Sequence, residues 1–357
     1  MNLNRKLMLN GEIQLDFCDV RIAPRFSDNG VDITSRGQTK IDTVIAGIGK
    51  ELFGTPIIAS NMDGVGTISM AKVLSHMGLF TALTKHVDYD SEECVSLFQQ
   101  ENSKVFYSIG MSDDELLRMS DYFKKIGVSN PNINIDVANG YMKKFQSFIK
   151  TCRTLFPKSY IMAGNVVDYG AAYSLVENGA DIVKVGIGSG SACTTRIVAG
   201  VGRPQLSAVL ECSSGTFDVC SDGGCVNYGD ISVAFAAGAK MVMLGGMLAG
   251  HTESELDIIE NGEKKFVQFY GMSSFTAMKK HGSELRNYRS SEGRNMLIPY
   301  KGDVEHTIQN LLGGLRSSLT YNNSQDLDDF CKTARFYRVG KVINEAYAKF
   351  DVSESRK

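Results

Sequence analysis

The densest concentration of reactive residue types lies in one run, Gly186-Ile187-Gly188-Ser189-Gly190-Ser191-Ala192-Cys193-Thr194-Thr195-Arg196. Glycines at alternate positions permit a tight loop, and Cys193 has hydroxyl and guanidinium groups beside it. Such surroundings favour nucleophilic attack by the sulfur, here on an electrophilic ring carbon. The loop's carbonyls can also turn inward around a monovalent cation. A buried structural cysteine is the competing reading of the residue type alone. The place of Cys193, directly after an apolar strand, favours the nucleophile. Two further loops, Asp222-Gly223-Gly224 and Gly245-Gly246, lack side chains where backbone N–H groups can approach phosphate oxygens, and Asp222 can accept from ribose hydroxyls. Either glycine pair alone is equally explained as a tight turn. Together with Cys193 they point to one nucleotide monophosphate.

Residues with these roles need elements to hold them. Short apolar runs rich in β-branched residues recur at 56–59, 79–83, 105–109, 133–137, 160–163, 182–185, 217–220 and 241–244, each ending in polar or glycine residues. The stretches between them have helical character: residues 68–76 and 171–178 place apolar side chains at helical spacing, and a helix near Val233 has Gly238 as its cap. Eight strand-helix units predict an α/β fold, a closed (β/α)8 TIM barrel. A doubly wound open sheet is the alternative, but it usually carries one phosphate fingerprint rather than polar, glycine-rich ends on most strands. An amino-terminal arm precedes the first strand. After the eighth comes a charged segment, residues 251–295, with Asn261-Gly262 at its turn, expected to form a hairpin and a mobile lid. No linker divides the chain, so residues 1–357 are read as one catalytic domain.

Composition narrows the function class. The chain is 43% hydrophobic and 22% charged with a net charge of -2, which offers no bulk attraction to nucleic acid or to acidic membranes. Residues 1–11 hold charges among their apolar residues and read as neither signal peptide nor membrane span, so a cytoplasmic location is expected. Eight cysteines and five histidines without a CxxC pair suggest free thiols rather than disulfides or a zinc site.

The full set of motifs resembles the inosine monophosphate dehydrogenase and GMP reductase family. The residues that carry the resemblance are Asn61-Met62-Asp63, Asp136-Val137-Ala138-Asn139-Gly140-Tyr141, Ala163-Gly164-Asn165-Val166, the Cys193 loop, Pro204-Gln205-Leu206-Ser207-Ala208, Ser221-Asp222-Gly223-Gly224-Cys225 and Leu244-Gly245-Gly246-Met247. The similarity runs from Asp19-Val20 to Gly313-Gly314-Leu315-Arg316-Ser317. Three features resemble the reductase branch: no regulatory insertion separates His86 from Val105, Glu292 stands in Tyr288-Arg289-Ser290-Ser291-Glu292-Gly293, and Asn139-Gly140-Tyr141 and Tyr270-Gly271-Met272-Ser273-Ser274 read closer to reductases.

The resemblance implies an NADPH-dependent conversion of GMP to IMP and ammonia through a thioimidate on Cys193, with NADH also open as cofactor. It implies Cys193, Thr195 and Glu292 as the catalytic set. Asp222, Gly223, Gly224, Gly245, Gly246, Gly271, Met272, Ser273, Arg289, Ser290 and Gly293 are the implied nucleotide site. Lys85, Asp136, Val137, Ala138, Ile187, Gly188, Tyr288 and Ser317, Ser318, Leu319 and Thr320 are the implied cofactor site. Gly188, Gly190 and Cys193, with Arg196 nearby, resemble a potassium site, and the family suggests a homotetramer. The chain departs from the pattern at Ser189, Ala192, Arg203 and Tyr228, and Arg25-Phe26-Ser27-Asp28-Asn29-Gly30 lacks the basic character suited to a phosphorylated cofactor. The rival expectations are an inosine monophosphate dehydrogenase, a reductase acting on a modified guanine nucleotide, and a nucleotide-binding protein without catalysis.

Overall fold

The computed structural model describes residues 13–27, 32–281 and 291–340. Eight strands alternate with helices around a closed barrel: β1 Ile57–Ala59, β2 Phe80–Ala82, β3 Val105–Ile109, β4 Asn132–Asp136, β5 Tyr160–Val166, β6 Ile182–Val185, β7 Asp218–Asp222 and β8 Met241–Leu244. Each pairs in parallel with its successor, and β8 closes on β1 through Val242↔Ile57, Met243↔Ile58 and Leu244↔Ala59. The expected (β/α)8 barrel is therefore the fold. The eight apolar runs are its strands, with ends shifted by up to a few residues. The largest consequences are at β5, which extends through Gly164 and Asn165, and at β7, which carries Asp222 as its last residue rather than leaving it in the loop.

The helices are α1 Ile68–His76, α2 Glu92–Gln99, α3 Asp113–Lys125, α4 Lys143–Leu155, α5 Tyr169–Glu177, α6 Thr195–Val198, α7 Gln205–Cys212, α8 Tyr228–Ala236, α9 Phe275–Lys280, α10 Val304–Tyr321 and α11 Leu327–Thr333. Their starts are chemically marked. Thr67, Ser91, Ser112 and Asp168 each accept a backbone N–H from the first turn of α1, α2, α3 and α5, a contact worth about 1 kcal/mol. α3 also places Asp113, Asp114 and Glu115 at its start and Lys124 and Lys125 at its end, matching the helix dipole. Only α2 and its flanking turns separate β2 from β3, so no domain is inserted there.

Strand alternation divides the core in two. Outward side chains such as Ile57, Val105, Ile133 and Val183 meet the helices, whereas Ile58, Phe80, Phe106, Tyr160, Met162, Ile182 and Met243 form a second cluster inside the barrel. Its floor is closed by Ile45 and Leu52, from two short antiparallel strands, Thr43–Ile45 and Leu52–Gly54, that the apolar periodicity does not announce. Moving along β6 by the same two-residue step carries the interior from Ile182 to Lys184, and along β7 from Cys220 to Asp222. The upper end of the barrel is thus polar. The amino-terminal arm is anchored by Val20–Ile22, which pairs antiparallel with Phe336–Arg338.

The expected hairpin after β8 is present as β9 Ile258–Asn261 and β10 Lys264–Tyr270, turning at Gly262, and a third strand, β11 Asn295–Pro299, pairs with β10. Phe269 of β10 lines the cleft at the carboxyl ends of the barrel strands, and this sheet belongs with α9 to the described part of the lid. Residues 282–290, with Tyr288, Arg289 and Ser290, lie outside the described residues.

Candidate active site

A cleft of about 720 Å³ opens at the carboxyl ends of the barrel strands, under the lid. The loops after β6 and β7 make its back wall, and a glycine lets them run side by side. Gly186 has φ +154°, and a Cβ there would lie 2.0 Å from the Asp222 carbonyl oxygen, so any side chain would drive the two loops apart. The Gly224 N–H donates to the Ser189 carbonyl at 3.0 Å and the Ser189 hydroxyl donates to the Asp222 carbonyl at 3.1 Å. Held between these contacts, Cys193 closes a turn by donating its N–H to the Gly190 carbonyl at 3.0 Å.

The lid meets this loop by strand-like pairing. Cys193 and Gly293 form an isolated antiparallel bridge: the Thr194 N–H donates to the Glu292 carbonyl and the Arg294 N–H to the Ala192 carbonyl, both at 2.9 Å. Backbone geometry thereby delivers the Glu292 side chain to Thr195. The Cys193 thiol donates to Thr195 Oγ1 at 3.2 Å, and that hydroxyl donates to Glu292 Oε2 at 2.7 Å. Thiol, hydroxyl and carboxylate thus stand in one hydrogen-bonded line. Cys225 also faces the cleft, but burial pushes its thiol well up, while Cys94 and Cys152 are pushed by burial to about 12. None of those three is suited to be a thiolate at neutral pH.

Asp222, Gly223, Gly224, Gly245 and Gly246 line the cleft beside Cys193, and Gly271, Met272 and Ser273 line it from the lid. Gly293 sits in the pairing with Cys193. On the other side of Cys193 the wall is made by Asp136, Val137, Ala138, Ile187 and Gly188. Lys85 is not among the residues that line the cleft; its ammonium lies 3.4 Å from Glu115, and after Lys184 and Asn61 its charge helps to lower the Asp136 pKa.

Ser317, Ser318, Leu319 and Thr320 are not brought to the cleft of their own chain. They lie on α10, where Leu319 continues the buried stripe of Ile308, Leu311 and Leu315, and its side chain is a core residue with no surface left for a ligand. The Ser318 and Thr320 hydroxyls back-bond to the carbonyls of Gly314 and Arg316. Arg196 is near the loop as expected, but its guanidinium turns away to Asp16, at 3.0 and 3.3 Å, and to the Arg203 carbonyl. Only its backbone remains available to a cation.

The polar upper end of the barrel holds a residue that sequence reasoning passed over. Lys184 is 1% exposed, bonds to Asp136 and stands 3.4 Å from Asp222 Oδ2. Burial disfavours its charge, but the two carboxylates override burial and raise its pKa. Asp136 is held in turn below the usual carboxylate range: burial would raise it, and Lys184 outweighs that. Asn61 Nδ2 donates to Asp136 at 3.0 Å, and Asn165 Nδ2 to Asp222 at 2.8 Å. A lysine inside an otherwise apolar strand was the available signal.

A second cluster ties the lid to the barrel. Asp63, in the loop after β1, accepts from Tyr270 at 2.9 Å and contacts His281 Nε2 at 2.6 Å, with Lys280 at 3.7 Å. The His281 ring stacks on His86, centroids 3.4 Å apart. Burial would raise the Asp63 carboxyl, but the hydrogen bonds from His281 and Tyr270 and the neighbouring cations prevail and lower it. The anchorage therefore persists above the ordinary carboxylate value of 3.8 and is lost as pH falls through the lowered one. Asp63→Ala is expected to release the lid's base at a cost of about 1–3 kcal/mol. Hydrogen exchange checks this: amides of α9 should exchange faster while those of the barrel strands keep their protection.

Among the described residues, no helix is long and apolar enough to cross a membrane. A family model for the IMP dehydrogenase / GMP reductase domain matches residues 14–346. The chain is 44% identical over 352 residues to a GMP reductase of Caenorhabditis elegans, covering 96% of this chain and 97% of that protein. It is 43% identical over 349 residues to GMP reductase 1 of Mus musculus, covering 95% and 99%, and 42% identical over 350 residues to GMP reductase 1 of Homo sapiens, covering 95% and 99%. A closed barrel bearing one cysteine-centred cleft, and a match along almost its whole length, make this chain a member of the IMP dehydrogenase / GMP reductase family.

Proposed function

We propose that this protein is an NADPH-dependent GMP reductase, converting GMP to IMP and ammonia. The observation that carries this reading is the line Cys193–Thr195–Glu292. An amine leaves carbon only with an added proton, and this line both takes a proton from the thiol and keeps it beside the reacting carbon. In the first step the thiol proton passes through Thr195 to Glu292, and the Cys193 sulfur adds to C2 of the purine. Glu292 then returns that proton to the 2-amino group, which leaves as ammonia, and the thioimidate remains. A reduced nicotinamide, when bound, would supply the hydride that C2 needs; Cys193 then leaves as the thiolate as the C–S bond breaks, and IMP is released.

Asp222 faces the ribose hydroxyls, and the loops at Gly223, Gly224, Gly245 and Gly246 face the phosphate. A Cβ at Gly246 would lie 2.5 Å from the Ser191 hydroxyl, so a side chain there would have to turn that hydroxyl aside. The wall at Asp136, Val137, Ala138 and Ile187 suits a nicotinamide, with apolar surface for the ring and a carboxylate for the carboxamide N–H. Arg289, Ser290 and Tyr288 belong to the same reading, as do Ser317, Ser318 and Thr320, which would have to act on a neighbouring subunit's cleft. Exposed Ile197 and Val201 near the cleft and exposed Tyr321 on α10 leave apolar surface for contact between subunits, as a homotetramer would need. Carbonyl oxygens such as those of Gly188, Gly190 and Cys193 are the donors that a hard monovalent cation such as potassium prefers, and these three would hold it and brace the loop. The chain acts as one catalytic domain, and buried thiols such as Cys94, Cys152, Cys212 and Cys220, none of them in a disulfide, go with a cytoplasmic setting.

The test is nicotinamide absorbance with full-length protein, potassium and GMP, alongside an ammonia assay. Oxidation of NADPH with stoichiometric ammonia is expected. Reduction of NAD by IMP would instead make the protein a dehydrogenase, and silence in both directions would leave a nucleotide-binding protein.

A further inference from the structure

We infer that Lys184 is a positioning residue that couples the nucleotide subsite to the cofactor subsite through the two carboxylates it holds at the cleft floor. The inference deepens the GMP reductase reading and rests on it. Lys184 rises from the barrel interior on β6, with Asp136 on β4 and Asp222 on β7 meeting its ammonium from different strands. It is wholly enclosed, whereas the two carboxylates keep 36% and 21% of their side chains exposed to the cleft. Each carboxylate is steadied from behind by an asparagine, Asn61 or Asn165. Each therefore offers its remaining acceptor capacity to a ligand: Asp222 to ribose hydroxyls, Asp136 to the nicotinamide side.

One buried ammonium serving two acceptors has no water to fall back on. A ligand that donates to Asp222 weakens that carboxylate's pull, and the ammonium shifts its interaction toward Asp136; a donor on Asp136 does the reverse. Lysine suits the task because it is a point charge on a flexible stem, where the planar fork of arginine would commit to one carboxylate. The other charged group bearing on Asp136 is Lys85, and the Cys220 thiol beside Lys184 is kept neutral by burial.

The experiment is calorimetric titration of the full chain with GMP and, separately, with NADPH, in wild type, Asp136→Asn, Asp222→Asn and each of these combined with Lys184→Met. Asp136→Asn is expected to shift the GMP dissociation constant, and Asp222→Asn that of NADPH, by about threefold or more. Neither removed charge touches the ligand being titrated. In the Lys184→Met background both cross-effects should fall to about one. Cross-effects within about 1.5-fold in the Lys184 proteins, or cross-effects that survive Lys184→Met, overturn the inference. Should Lys184→Met fail to fold, Lys184→Arg takes its place in the same combinations: it keeps the buried charge but commits it to one carboxylate, so both cross-effects should again fall to about one, and cross-effects that survive it overturn the inference. Failure of wild type to bind either ligand would sink the functional reading and this inference together; tight binding at independent subsites would sink this inference alone.

Discussion

Replacing Cys193 with alanine is expected to remove GMP-dependent oxidation of NADPH by a factor on the order of 10⁴ or more, while GMP still binds within about threefold of wild type. The asymmetry follows from where the sulfur acts. In the proposed reading the glycine loops and Asp222 hold phosphate and ribose, and the substitution leaves them in place, whereas the covalent route to C2 disappears. No other thiol can take over, since Cys225, the other cysteine facing the cleft, is held protonated by burial. Turnover and GMP affinity measured on the same preparation check the prediction. Mass spectrometry of wild type quenched during turnover should show the nucleotide adduct on Cys193, absent from the variant. Retention of a tenth or more of the wild-type rate would rule out the covalent mechanism.

Glu292→Gln is expected to lower turnover about 10²–10⁴-fold. The amide cannot receive the thiol proton and return it to the departing amine, although its size and backbone pairing with Thr194 are preserved. Thr195→Val should give a loss of similar kind, because it cuts the same line at its middle. The two changes together should cost little more than the worse single one, since groups acting in series fail as a unit. Steady-state rates of the four proteins test this. Additive losses would mean that Thr195 and Glu292 act on different steps. Ammonia release in a single turnover should slow in step with the rate, which identifies deamination as the affected half.

Much of the architecture is legible along the chain because its signals are local. Apolar runs such as 182–185 and 241–244 coincide with β6 and β8, and residues 68–76 coincide with α1, since periodicity and capping residues act within a few positions. The Cys193 loop and the hairpin at Gly262 are read for the same reason. The floor strands Thr43–Ile45 and Leu52–Gly54 are not, being short and committed to a surface the rest of the barrel creates. Leu319 shows the opposite limit. Its motif suggests a ligand contact, and only the packing of α10 reveals that its side chain belongs to the core.

Residue types within single short segments are enough to specify the barrel, the Cys193 loop and the glycine pairs after β7 and β8, because each depends on its own local pattern. Tertiary structure alone decided how distant charges are shared. Glu292 reaches Thr195 across 97 positions through a lid pairing that no local pattern encodes. Lys184 becomes a bridge between Asp136 and Asp222 only when three separate strands close around it. The physical reason is common to both: a proton line and a buried charge depend on distances of a few ångströms between segments, and closure of the chain sets those distances.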